Sequence, residues 1–382
     1  MFFILVSMFL FQRLQFEQMR RTLSGNPALR SLAGISDAEC IALRIQPVPG
    51  EDAFTHFLDR LGEKHEMLIA MFNGIRERVF NEIGSYCIDC AGDGKSLDSF
   101  APNVHPSHPA KDRRGEADAT YSLKIHTYTS ESGERKGKKE THYGFRKHAI
   151  VDCRTELPVI SEVYPANIDE RGVMESLFDK LPVRYKERMV HLSLDRGHGS
   201  TALLQKVRMA GIIPIVDKRM MKKKDELIRY RETDFYYNDR GEACYLDADC
   251  GNNSISPDTG YPANFIRTTY KGYDKQRACL RYHCKGRQVR IYICDNPRIF
   301  NEVARDSKKF KREYNKRTSV ERFHSRLDQG FGFESHTIRR LTKMRTMSLV
   351  GDIIMLALAL AHKKQGSKKY ASLFDFDLPS LF

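Results

Sequence analysis

Apolar and polar residues follow two different periods along the chain, and the change of period divides it into regions. Up to about residue 84 the apolar spacing is helical. One predicted helix has apolar residues at positions i, i+3, i+4 and i+7, namely Phe54, Phe57, Leu58 and Leu61. Ser36 and Glu39 form an S-x-x-E capping box at the start of another. We therefore predict a helical N-terminal domain over residues 1–90, of the size used for DNA binding. A linker over the polar residues 91–116 follows it.

Beyond residue 116 the spacing changes to that of strands. Three extended runs are predicted at 121–128, 143–151 and 159–163, and alternating helices and strands follow up to residue 216. This order predicts an α/β fold, a mixed sheet flanked by helices. The regions that we predict are a catalytic core at 117–218, a β-rich insertion at 219–300, C-terminal helices of the core at 301–365 and a tail at 366–382.

Two apolar stretches raise the question of a membrane. The first, residues 1–11, is too short to span a bilayer and has no preceding basic region. We interpret it as a buried first helix that continues through Gln15 and Met19, with a signal peptide or anchor as the alternative. The second, 349–362, is also short and contains Asp352, so we predict a core helix and no membrane partner.

Charge narrows the choice of partner. The net charge of +14 favours polyanions, of which nucleic acid is the commonest for a basic protein. A basic surface that only aids solubility is the alternative. The cations are clustered at 135–139, 222–224 and 308–317, and the last stretch carries six in ten residues. This clustering favours DNA.

Two aspartates occupy positions that suit a metal site. Asp195 ends the apolar run 191–194 and precedes two glycines, and the carboxyl ends of strands face the ligand site in open α/β sheets. A helix cap is the alternative role. Asp118, at the start of the first predicted strand, could meet Asp195 if those strands pair. Asp152, which follows a strand, is its competitor.

A third group lies on a predicted helix. Tyr314, Arg317 and Glu321 fall within roughly 60° of one another at 100° per residue. A carboxylate that binds a cation, beside a guanidinium and a phenol that bind phosphate oxygens, suits a metal–phosphate site. The alternative is an exposed i, i+4 ion pair between Arg317 and Glu321.

Together these motifs resemble DDE transposases of bacterial insertion sequences. Four stand in the family's order: Asp118-Ala119-Thr120, Tyr143-Gly144-Phe145-Arg146-Lys147-His148, Asp195-Arg196-Gly197-His198, and Tyr314-x2-Arg317-x3-Glu321. The last is similar to the Y-x2-R-x3-E-x6-K signature of a large subgroup that has a β-rich insertion before the glutamate. The resemblance covers about residues 20–364. It implies an RNase H-like fold and a transposase that cleaves transposon ends and transfers the strands into target DNA.

The resemblance also implies a site and its partners. Two Mg²⁺ ions, with Mn²⁺ as a substitute, would be held by Asp118 as the bridging ligand, Asp195 and Glu321. The partners would be double-stranded DNA, both terminal inverted repeats and target, and a second copy of the chain. The residues expected to contact DNA are Tyr314, Arg317, Lys147, His148 and Arg322.

One position departs from the signature. Where the subgroup has lysine, this chain has Asp328, so a phosphate contact is exchanged for a negative charge. This departure supports one alternative, a catalytically impaired, transposase-derived DNA-binding protein. An RNase H-fold nuclease without strand transfer is a further alternative.

The nine cysteines are odd in number and irregularly spaced, which favours a reducing cytoplasm. The resemblance implies that this is a bacterial cytoplasm, with association to the nucleoid through DNA. Two groups could bind metal. Cys87 and Cys90 form a lone C-x-x-C. A structural zinc site in the insertion would use Cys250, Cys279, Cys284 and Cys294. Small buried side chains are the alternative interpretation of both groups.

Overall fold

The structure is a computed structural model of the chain, and it describes residues 1–101, 116, 118–129, 135–218, 227–247 and 264–366. The helices are α1 (Phe2–Leu10), α2 (Phe16–Gly25), α3 (Pro27–Leu32), α4 (Asp37–Ala42), α5 (Glu51–Glu63), α6 (His65–Ile83), α7 (Glu170–Lys180), α8 (Val183–Arg188), α9 (Thr201–Met209), α10 (Lys308–Asn315), α11 (Thr318–Ser325) and α12 (Leu341–Lys364). The strands are β1 (Asp89–Asp98), β2 (Thr120–Thr129), β3 (Arg135–Asp152), β4 (Pro158–Pro165), β5 (His191–Leu194), β6 (Ile213–Val216), β7 (Ile228–Arg229), β8 (Phe235–Tyr237), β9 (Ala243–Leu246), β10 (Phe265–Arg267), β11 (Thr269–Asp274), β12 (Cys279–Cys284) and β13 (Arg287–Tyr292).

The N-terminal region is helical, as predicted. The Ser36 hydroxyl accepts a hydrogen bond from the Glu39 amide at 3.3 Å and caps α4. The first apolar stretch forms α1, whose inner face is buried. A single helix through Met19 is wrong, because the chain turns at Gln12, which has a φ of 54° in the left-handed region.

The main sheet contains a strand that the sequence did not predict. β1 lies at the centre, antiparallel to β3 on one side and parallel to β5 on the other. The interpretation of residues 91–116 as a linker is therefore wrong for residues 91–98. Its glycines hide the strand in the sequence, but they allow close packing: a Cβ on Gly92 would lie 2.8 Å from Leu194 Cδ2.

The strand order is β2-β3-β1-β5-β6, with β4 also paired to β3. β3 runs antiparallel to both β4 and β1, while β5 and β6 run parallel to β1. This is the order of the RNase H-like fold. Helices α7 and α9 cover one face of the sheet, and α11 and α12 pack on the other.

The insertion has its own small core. Its described residues form two antiparallel sheets, β10-β9-β8-β7 and β11-β12-β13. Their aromatic and aliphatic side chains pack into a separate hydrophobic cluster that includes Phe235, Tyr282, Ile291 and Phe300. This cluster lets the insertion fold beside the main sheet without disturbing it.

The second apolar stretch belongs to α12, which packs against α6 and β4. By length and composition α12 could cross a membrane, but 72% of its most apolar window is buried inside the protein. The prediction of a core helix agrees with this burial.

Candidate active site

Asp93 and Asp195 lie side by side at the centre of the sheet. In the parallel pairing of β1 and β5, Gly92 is opposite Leu194, so the two aspartates occupy the next positions on adjacent strands. Neighbouring strands are about 4.8 Å apart. Asp195 therefore follows the carboxyl end of β5, where α/β sheets bind ligands, and Asp93 lies within β1 just beyond its pairing with β5.

Arg317 joins this pair to Glu321. Its Nη1 donates to Asp93 Oδ2 at 3.2 Å, and its Nη2 lies 2.6 Å from Glu321 Oε1. Burial would lower the pKa of Arg317, but the charges of Glu321, Asp93 and Asp195 raise it above its usual value. One guanidinium thus lies within the field of three carboxylates.

Tyr314 completes the group, although not from the continuous helix that the spacing predicted. α10 ends at Asn315 and α11 begins at Thr318, with Lys316 and Arg317 in the turn between them. The Tyr314 hydroxyl donates to Asp195 Oδ1 at 3.4 Å. Tyr314, Arg317 and Glu321 still converge, because the turn continues the helical direction of the chain.

Buried histidines surround Asp93. His198 Nε2 lies 3.5 Å from Asp93 Oδ1, and the Gly94 amide donates to the same oxygen at 2.8 Å. Burial alone would raise the pKa of Asp93, yet these hydrogen bonds and the histidine charges lower it overall. Burial lowers the pKa values of His148 and His324 to about 3. The hydrogen bonds from His198 and Gly94 therefore favour the ionised form of Asp93 despite its burial.

The structure does not bring Asp118 to this group. It lies exposed before β2, and its Oδ2 accepts a hydrogen bond from the Leu341 amide at 3.3 Å. β3 separates β2 from β1 in the sheet, so Asp118 is at least about 10 Å from Asp93. The expected meeting of Asp118 with Asp195 is therefore not found, and Asp93 is the aspartate that lies beside Asp195. Asp152 is also remote: it is buried and accepts hydrogen bonds from Cys87 and Thr155.

Two residues expected to contact DNA are buried instead. Lys147 is fully buried, and its ammonium binds Asp352 Oδ1 at 2.7 Å and Ser348 Oγ at 2.8 Å. His148 is only 1% exposed. Because β3 is paired on both edges and covered on both faces, the prediction that Lys147 and His148 contact DNA is wrong.

The remaining predicted residues lie further along the same helical segment. Arg322 is half exposed and forms an ion pair with Glu156. Asp328 is buried and does not present its charge to solvent. It lies in a π-helical turn, Arg326–Gly330, and pairs with Lys95 of β1.

A second cluster of potential ligands lies at the opposite end of β1. Among the described residues, Asp89, His191 and Glu313 are the only three potential ligands whose ligand atoms all lie within 4.8 Å of one another; Asp93, Asp195 and Glu321 are spaced more widely. The hydrogen bond from His191, together with Lys316, lowers the pKa of Asp89 to about 2. The Lys316 ammonium lies 2.6 Å from Asp89 and 2.5 Å from Glu313, so a cation of the chain itself already neutralises this cluster.

The cysteines of the described regions do not gather into such a group. Cys87 and Cys90 are buried. Cys279 and Cys284 lie at opposite ends of β12, and Cys294 is exposed. Cys250 and the cations at 222–224 lie outside the described residues.

Two clefts of opposite charge flank the three carboxylates. The first, about 800 Å³, lies between the core and the insertion beside Asp195 and Asp217; we call it the basic cleft after its cations Arg171, Arg196, Lys218, Arg298 and Arg305. The second, about 450 Å³, lies on the Glu321 side; we call it the acidic cleft after its carboxylates Asp93, Glu140, Glu321, Asp328 and Glu334.

Comparison with known proteins identifies the family of the chain. No curated protein matches the chain. A solved structure, the synaptic complex of piggyBac transposase with hairpin DNA, is similar at 12% identity and a TM-score of 0.34, and the match covers 75% of this chain and 52% of that one. This chain thus spans about half the length of that protein. The family model described as "Transposase DDE domain" matches residues 109–358, a stretch that includes Asp195 and Glu321 but begins after β1. The chain belongs to the DDE-domain transposase family.

Proposed function

We propose that this protein is a transposase that cleaves transposon ends and joins them to target DNA at divalent ions held by Asp93, Asp195 and Glu321. The single observation that carries the proposal is the position of Arg317, which contacts Asp93 and Glu321 and lies in the field of Asp195. Three carboxylates that share one cationic group of the chain can also share metal cations.

The donor set fits two Mg²⁺ ions, for which Mn²⁺ is the natural substitute. All three groups are carboxylates, the hard oxygen ligands that Mg²⁺ prefers. When bound, a pair of such ions activates the attacking oxygen and stabilises the leaving oxygen of a phosphodiester. Asp93 is next to Asp195 in the strand register and shares Arg317 with Glu321, so it would hold a cation together with either of them.

The neighbouring side chains have separate roles. Once cations occupy the carboxylates, Arg317 is free to bind a phosphate of the transposon end through both guanidinium nitrogens. The Tyr314 hydroxyl is placed to donate to a neighbouring phosphate oxygen. His198 and the Gly94 amide keep the Asp93 carboxylate ionised and fix its orientation.

The substrate that the charge distribution favours is double-stranded DNA. The basic cleft begins beside Asp195, and its cations Arg171 and Arg298 are exposed. α10 adds Lys308, Lys309 and Lys311 on its solvent face. We infer that the duplex lies along this side, because phosphates are attracted by cations and repelled by the acidic cleft.

Two further inferences concern assembly and place. Transposition joins two ends, so we infer that two copies of the chain act together on DNA. We also infer action in the bacterial cytoplasm, on nucleoid DNA.

The test is an in vitro cleavage assay with labelled terminal inverted repeats, target DNA and Mg²⁺. We expect Asp93→Asn, Asp195→Asn and Glu321→Gln each to lower nicking by roughly 1,000-fold or more, which corresponds to about 4 kcal/mol of transition-state stabilisation. Binding to the ends should persist. Asp118→Asn is the matched control and should stay within about threefold of the unsubstituted protein.

The products separate the alternatives. Joined strands support a transposase, hydrolysis alone indicates a nuclease, and binding alone indicates an impaired derivative. An Asp93→Asn protein that nicks normally, beside an inactive Asp118→Asn protein, would refute the assignment of the first aspartate.

A further inference from the structure

Alternate residues of β1 point towards the helical segment that carries Glu321. Asp89, Asp93 and Lys95 share one face of the strand, because side chains alternate across a sheet. Each has a partner of opposite charge on that segment. Asp89 pairs with Lys316, Asp93 with Arg317, and Lys95 with Asp328. Three ion pairs therefore join the strand of Asp93 to the segment of Glu321.

Of the three ion pairs, the Lys95–Asp328 pair has the most buried carboxylate. The Asp328 side chain is only 3% exposed, and Lys95 is its ion-pair partner. Lys95 also lies 3.1 Å from the exposed Glu334. Among the described residues that line the acidic cleft, Lys95 is the only lysine or arginine. The buried charge of Asp328 therefore depends on Lys95, since burying an unpaired carboxylate is costly.

We propose that the Lys95–Asp328 pair is a clamp that positions Asp93 and Glu321 for metal binding. Lys95 lies two residues beyond Asp93, about 7 Å along the strand. Asp328 lies seven residues beyond Glu321, about 10 Å along the helical segment. The pair thus holds both ligand-bearing elements just past their ligands. This proposal rests on the proposed function, since it concerns the same three carboxylates.

The clamp matters most when metal is bound. Cations on Asp93 and Glu321 compete with Arg317 for the same oxygens, so the middle ion pair is lost. The Lys95–Asp328 pair touches neither ligand and remains. The pair also explains how the chain tolerates aspartate where the subgroup signature has lysine, because Lys95 neutralises the charge of Asp328 and keeps it away from DNA.

The first test measures Mn²⁺ binding to the full-length protein without DNA, from the electron paramagnetic resonance signal of free Mn²⁺. We expect Lys95→Met to raise the Kd for Mn²⁺ about tenfold, and the exchange Lys95→Asp/Asp328→Lys to restore it to within about threefold. Lys206→Met is the matched control, since Lys206 also forms ion pairs, with Glu175 and Asp179, away from the site.

A double variant distinguishes the loss of the clamp from simple unfolding. Lys95→Met/Asp328→Met removes both charges and leaves no buried carboxylate unpaired. If it melts like the unsubstituted protein and still binds Mn²⁺ more weakly, the clamp is supported. Normal Mn²⁺ binding by this folded variant, or an exchange that fails to restore affinity, would overturn the proposal.

The second test distinguishes positioning from direct contact with DNA. In the cleavage assay, Lys95→Met should raise the Mg²⁺ concentration for half-maximal nicking and leave the salt dependence of DNA binding unchanged. A lower salt slope with unchanged Mg²⁺ dependence would make Lys95 a phosphate contact instead. If Asp93→Asn does not weaken Mn²⁺ binding, the proposed function itself fails; if only Lys95→Met is without effect, the clamp alone fails.

Discussion

Lys147 tests whether a buried lysine stabilises the fold or contacts DNA. Its sequence neighbourhood predicts contact with DNA, but its ammonium binds Asp352 and Ser348 in the interior. The Ser161 hydroxyl donates to the other oxygen of Asp352. Burial lowers the pKa of Lys147 and raises that of Asp352, so desolvation outweighs the attraction between them. We therefore expect Lys147→Met to reduce stability and not DNA affinity.

The magnitude follows from the burial of both partners. Neither side chain of the pair is exposed to solvent. Removing one partner of a buried ion pair leaves the other charge uncompensated and costs about 3–5 kcal/mol. Replacing both by apolar residues is often neutral or stabilising. Lys147→Met/Asp352→Leu should therefore recover most of the stability that Lys147→Met loses.

The assay is urea unfolding of both variants, with the midpoint and slope compared, and DNA binding measured at two salt concentrations. A lower midpoint at unchanged slope reports the loss of stability. The reasoning is refuted if Lys147→Met unfolds at the normal midpoint while DNA binding becomes weaker and less dependent on salt. Lys147 would then reach DNA in a conformation other than this one.

The remaining predictions concern pH and packing. His148 and His324 have pKa values of about 3 in the folded protein and about 6.5 when unfolded, so acid favours the unfolded state. Their contribution to stability is complete above pH 6.5 and is lost as pH falls towards 3. Urea unfolding should show about 4 kcal/mol less stability at pH 5 than at pH 7.5, about 2 kcal/mol from each histidine, and equal values would contradict the burial of both rings. Gly144→Ala should cost about 3 kcal/mol, because its Cβ would lie 2.2 Å from the Leu97 carbonyl oxygen. The control Gly74→Ala, in an exposed helical position with open space, should gain up to about 1 kcal/mol in the same measurement.

The sequence predicted the parts of the site that depend on local spacing. Tyr314, Arg317 and Glu321 lie within eight residues, so the helical period alone brings them to one side, even across a turn. Asp195 follows an apolar strand and precedes glycines, a pattern that places it at a strand end. These inferences needed no knowledge of distant contacts.

The sequence did not reveal Asp93, because its strand lacks the usual composition. The segment Asp89–Asp98 has no β-branched residue, and Gly92 and Gly94 suggest a loop. The glycines are needed because Leu194 and His148 pack closely against the backbone. A run of small residues followed by an acid was the only local indication, and it becomes decisive only when β3 and β5 are seen on either side.

Distant contacts also explain the errors at Lys147 and Asp328. The partner of Lys147 is 205 residues later in the chain, and that of Asp328 is 233 residues earlier. Each position carries a charge that predicts exposure, and only the fold supplies the opposite charge. Residue type alone cannot distinguish a buried pair from a pair of surface charges.

The shared hydrophobic core has a consequence for how such proteins diversify. One cluster runs from α1 through α6 and the main sheet to α12, whereas the insertion packs around its own cluster. The N-terminal helices therefore do not form an independent module. Exchanging them between relatives would require apolar side chains that match the core of the recipient protein. Because the insertion packs around its own cluster, it can change in length or sequence while the main core stays intact.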